Sequence, residues 1–178
     1  GALPTKWEIV SLNYISPKLG ENFLQNVLIA LAMSIIFVSI IIFLRYRNLK
    51  ISIPALLTSF SEVLILLGAS VIMNWNLDLA SIAGIIVLVG TGVDQQIMII
   101  DETLSKKEVL SLKAKLKRAF FMVFASAGTT IGAMLPLFGL GFGLLRGFAI
   151  TTILGILIAI LITRPAFSEM LQILLKEE

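Results

Sequence analysis

Cysteine and histidine are both absent from this 178-residue chain. Their absence removes disulfides, thiolate nucleophiles, Cys/His zinc or haem ligation and imidazole acid–base chemistry from the possible functions, and is silent about redox compartment. Charge is scarce too, at 14% of residues against about 25% in soluble domains. Apolar residues supply 58%, and the mean hydropathy is +1.01. This is the composition of a membrane protein. At roughly 20 apolar residues per crossing, the length holds about four to six helices and leaves no room for a soluble catalytic domain. The expectation is a protein that is not an enzyme and that uses no metal or cofactor. The formal net charge of +3 resides in short connections between apolar runs, where it reports orientation in a lipid bilayer and no nucleic-acid binding.

Five runs are long and apolar enough to cross a membrane, at about 23–44, 51–73, 79–100, 119–140 and 147–170. They are continuous rather than alternating, which predicts an all-α bundle of five transmembrane helices and not a barrel. The connection after the first run carries Arg45, Arg47 and Lys50, and that after the third carries Lys106, Lys107, Lys113, Lys115, Lys117 and Arg118; the second connection has no Lys or Arg and the fourth only Arg146. By the positive-inside rule the first and third connections are cytoplasmic, the N-terminus is outside and the C-terminus inside the cell membrane. The chain opens at Gly1 without Met or a basic leader, so the expectation is a fragment or processed product with a helix upstream. Residues 1–20 form an extracytoplasmic tail, with a short strand at Trp7–Val10 and a turn at Ser16–Gly20, and read as the remnant of a larger domain; residues 21–178 form the membrane domain. Glu102–Arg118 interleaves leucines with lysines and reads as a short interfacial helix or as a solvated basic loop.

Polar groups inside the apolar runs carry the functional information, because a charge at the bilayer centre costs on the order of 3 kcal/mol. Glu62 lies halfway along the second run, and Asp94 lies in Gly90-Thr91-Gly92-Val93-Asp94-Gln95-Gln96 on the third. Counted at about 1.5 Å per residue, Glu62 is roughly 16 Å and Asp94 roughly 10 Å from the cytoplasmic ends of their helices. Helical spacing puts Gly90, Thr91, Asp94, Met98 and Asp101 on one face, with Asp101 about two turns nearer the cytoplasm than Asp94. A carboxyl able to gain and lose a proton at Asp94, with an inner station at Asp101, suits proton transfer. The bland alternatives are an Asp94 that only fixes packing, a Glu62 satisfied by neighbouring Thr58 and Ser61, and a solvated Asp101. Gly147, Thr151, Gly155, Ala159 and Thr163 recur every four positions, and Gly128 and Gly132 form a G-x-x-x-G; in lipid such stripes mark closely packed helices. Pro54, Pro136 and Pro165 are possible kinks.

The stretch Gly90–Glu102 resembles the fourth-helix motif of the SecD family, in which a G-x-x-V-D core precedes an apolar run and an acidic residue. Gly1–Pro4 with Ile15–Gly20, and Arg146–Gly155 leading to Ile162–Pro165, agree in the same order. The resemblance covers the whole chain, and Gln95-Gln96 with Asp101-Glu102 is closest to the archaeal type. It implies an RND-type half-domain lacking its first helix, paired with SecF beside the SecY translocon, using the proton-motive force to help a translocating polypeptide across. The polypeptide would be held mainly by the extracytoplasmic domain. The resemblance puts the family's proton-linked acid on Asp94 and implies that its basic counterpart is supplied by the SecF half; this chain is expected to carry no Lys or Arg at mid-membrane to replace it. A proton crossing about 150 mV releases roughly 3.5 kcal/mol, a few hundredfold of bias on a two-state motion. Two other readings are half of an RND-like lipid or drug exporter, which shares the G-x-x-V-D core, and a non-transporting membrane scaffold.

Overall fold

The structure is a computed structural model that describes residues 17–75, 77–105, 111–140 and 144–176. The strand expected at Trp7–Val10 lies outside the described residues. Six α-helices follow in order: α1 Pro17–Tyr46, α2 Leu49–Ile72, α3 Leu79–Leu104, α4 Leu112–Leu140, α5 Leu144–Ile158 and α6 Arg164–Lys176. A π-helical turn, Ala159–Thr163, joins α5 to α6, so the two form one span, Leu145–Leu174. The described residues thus include five helical spans long and apolar enough to cross a membrane and no strand.

Local chemistry sets the ends. Asn48 caps α2, its side chain accepting from the Lys50 N–H at 2.9 Å, and Asp78 caps α3 by accepting from the Ser81 N–H at 2.7 Å. Arg47 ends α1 in the left-handed region (φ 49°) and donates its N–H to Phe43 O. Asn74 (φ 50°) ends α2 with paired bonds, Trp75 N–H to Ser70 O and Asn74 N–H to Val71 O, the Schellman arrangement. Two boundaries differ from the sequence expectation. Pro17–Gly20 is the start of α1 rather than a turn, with Pro17 at a first helical position that needs no N–H partner. The basic stretch Lys113–Arg118 is the first part of α4, not a separate interfacial helix; Leu116 is buried, so one face of that turn faces the bundle. Pro54 and Pro136 lie inside α2 and α4.

The π turn has a local cause. Pro165 has no N–H to give Leu161 O, and the Arg164 N–H reaches back five residues to Ala159 O, widening the turn just ahead of the proline.

Helix α3 is central and packs against every other helix. The apolar core is in two parts. One joins Leu31, Val63, Leu66, Ile85, Leu88, Val89, Ala127, Ile156 and Ile160; the other joins Ile42, Ile51, Ala55, Val93, Ile99, Ile100, Leu116, Ala119, Val123, Phe167 and Leu171. Between Ala55 and Val63 on α2, and between Ile160 and Phe167 on the last span, the buried residues include Ser59, Glu62, Thr163 and Arg164. Gln95 and Gln96 of α3 join them, so a polar layer divides the core.

Candidate functional site

Arg164 is fully buried, and the charge it carries is matched across the bundle. Its Nη2 donates to Glu62 Oε2 at 2.8 Å, and its Nε donates to Gln95 Oε1 at 2.9 Å. The Thr163 hydroxyl donates to the same Glu62 oxygen at 3.3 Å. At the next residue of α3, Gln96 Nε2 donates to Ala55 O and to Ser59 Oγ, each at 3.2 Å. Three buried atoms of this layer have no hydrogen-bond partner among the described residues: Arg164 Nη1, Glu62 Oε1 and Gln96 Oε1. The last span therefore does carry a basic residue well inside its length, and the expectation of no mid-membrane Lys or Arg is corrected. Thr58 and Ser61 do not satisfy Glu62 either; their hydroxyls donate to Pro54 O and Leu57 O on their own helix.

Gly92 explains how α3 comes so close. A Cβ at this position would lie 2.7 Å from Arg164 Nη2 and 3.4 Å from both Glu62 oxygens. The Gly-Thr-Gly-Val-Asp stretch thus has two sides. Gly92 and the following Gln95 face inward onto the ion pair and Gln96 onto Ala55 and Ser59, whereas Gly90 and Asp94 are exposed. Asp94 makes no hydrogen bond or ion pair with any described residue. Glu62 and Asp94 sit at neighbouring depths, but on opposite sides of α3, and the structure does not bring them together. Thr91 is half-buried and donates to Leu88 O at 3.1 Å. At the cytoplasm-proximal end of α3 as read from the sequence, Asp101 accepts from Tyr46 Oη at 2.7 Å and pairs with Arg45 at 3.2 Å. Both charges of that pair are largely exposed, so solvent screens it and it contributes little to stability.

Among the small residues, those of the last span line its contact with α3. A Cβ at Gly155 would meet Leu88 Cδ2 and lie 2.9 Å from Leu88 Cγ, one at Gly147 would lie 2.7 Å from Asp78 Oδ1, and Thr151 Oγ1 abuts Gly84. Gly128 and Gly132 differ: nothing lies within 4 Å of an added Cβ at either. The G-x-x-x-G of α4 faces away from this bundle, which corrects its assignment to packing within the chain.

Sequence reasoning missed Arg164 because it sat near a proline late in an apolar run. The available signal was arithmetic: Glu62 is an acid inside an apolar run with no base nearby in sequence, and Arg164 is the one base well inside the last span, Arg146 lying at its very start.

Residues 2–172 match the family described as protein export membrane protein SecD/SecF, C-terminal. Protein-export membrane protein SecD of Methanocaldococcus jannaschii is 54% identical over 99% of the chain and 44% of its own length. The SecD proteins of Methanothermobacter thermautotrophicus and Thermococcus gammatolerans are 44% and 48% identical over 97% and 100% of the chain, and 45% and 35% of their own lengths. The chain therefore spans less than half of these curated relatives. No solved structure matches it. With the family model covering nearly every residue and a five-span helical bundle around a polar layer, the chain belongs to the SecD/SecF family of protein-export membrane proteins.

Proposed function

We propose that the chain is the membrane part of a non-enzymatic, proton-motive-force-linked subunit of protein export, which acts with SecF beside the SecY channel. The observation that carries this reading is Asp94: an acid well inside an apolar span, exposed on the side of the bundle and unpartnered among the described residues. A carboxyl facing lipid at that depth costs on the order of 3 kcal/mol, so the position makes physical sense when a second half-domain covers it and supplies the polar or basic groups. The open glycine face of α4 supports the same reading, since small residues let a partner helix approach closely. The ion pair Glu62–Arg164 is already neutral as a unit and does not compete for this role. Asp94 takes up and releases the proton, and Asp101 with Tyr46 and Arg45 forms the polar end of the path on the cytoplasmic side.

The test is export by the full-length protein reconstituted with SecF and SecY, measured at fixed membrane potential with and without a pH gradient. Asp94→Asn keeps size and hydrogen-bonding capacity but cannot titrate. Assembly is expected to survive and the gradient-dependent component to vanish, with partial activity in Asp94→Glu. Full gradient-dependent export by the Asn variant would leave the scaffold reading as the better one.

A further inference from the structure

We propose that Arg164, Gln95 and Gln96 are positioning residues that fix the rotation of α3 about its own axis, and so hold Asp94 on the outer side of the bundle. The inference rests on the proton-linked reading of Asp94. The close packing of Gly84 and Leu88 against Thr151 and Gly155 sets how near α3 lies to the last span, but apolar burial alone gives little preference for one rotation, because lipid tails are as apolar as the leucines they would replace. Buried polar atoms behave differently, since each one left unpaired costs the desolvation of that group. Helix α3 is gripped at three inner positions of one turn: Gly92 against the Arg164 guanidinium, Gln95 on Arg164 Nε, and Gln96 on Ala55 O and Ser59 Oγ. Asp94 leaves the same turn on the other side.

The choice of residue types supports the assignment. A rotation of α3 by one residue, about 100°, would exchange Gln95 for Asp94 opposite Arg164. Glu62 already neutralises Arg164 at 2.8 Å, so a second carboxylate there would face a like charge in a low-dielectric site. The neutral Gln95 has no such conflict and offers Arg164 Nε the acceptor it needs. Glu62 thus acts against the wrong rotation while Arg164 and the two glutamines favour the right one.

Two measurements on the full-length protein test this. In bicelles without a partner, nitroxides at Val87, which is exposed, and at Ile86, which is half-buried, report rotation through their collision rates with oxygen dissolved in lipid. Reconstituted with SecF and SecY, the same variants are assayed for gradient-dependent export. Gln95→Met, which keeps size and loses the acceptor, is expected to shrink the contrast between the two labels and to lower gradient-dependent export about tenfold or more. The exchange Glu62→Gln with Gln95→Glu, which preserves net charge and the acceptors around Arg164, is expected to keep both near the parent's values. Should Gln95→Met fail to assemble, Gln96→Leu is read in the same way. An unchanged label contrast overturns the positioning role whatever export does. A reduced contrast with unaltered export upholds the positioning role and instead removes Asp94 from proton coupling.

Discussion

Arg164→Met isolates the energetics of the polar layer. The substitution keeps a long flexible side chain, and deletes the charge that Glu62 meets at 2.8 Å and the donor that Gln95 Oε1 meets at 2.9 Å. Breaking a buried pair from one side typically costs about 3–5 kcal/mol, because the abandoned charge stays buried. That is a loss of about two to three orders of magnitude or more in the folding equilibrium. Removing both charges, as in Glu62→Leu with Arg164→Met, avoids the buried orphan charge. The residual penalty is then the unpaired Gln95 oxygen, about 1–3 kcal/mol, so the double variant is expected to be more stable than the single one. The chain contains no Cys, which suits steric trapping in bicelles with a pair of introduced labels, run as a double-mutant cycle. Equal stability of parent and Arg164→Met, or a double variant weaker than Arg164→Met alone, would refute the reasoning.

The close contact of the last span with α3 predicts that Gly155→Leu destabilises by about 1–3 kcal/mol or more, as the new side chain is driven into Leu88. Gly132→Leu, where an added Cβ meets nothing within 4 Å, is expected to leave thermal stability unchanged and to weaken association with the partner half in a pull-down. Cysteines at Leu140 and Ser111, at opposite ends of α4, are expected to label from outside and only from inside respectively; the reverse pattern would invert the orientation drawn from the Lys/Arg asymmetry. Arg45→Gln breaks an exposed pair with Asp101, so thermal stability is expected to stay close to the parent's, and closer still at high salt.

Composition and run length by themselves determined the class of this protein and its number of spans, because a backbone in hydrocarbon must satisfy its own hydrogen bonds and a helix needs a fixed length to cross. The sequence also marked Glu62 and Asp94 as exceptional, since an ionisable group in an apolar run stands out whatever surrounds it. It could not say what each acid does. That Glu62 meets Arg164, 102 residues away in sequence, follows only when α2 and α6 are folded against the same turn of α3. Likewise, the helical spacing put Asp94 on a face with Gly90 and Asp101, but periodicity cannot tell an inward face from an outward one when lipid and core are equally apolar. Buried polar contacts decide that, and these come from three different helices.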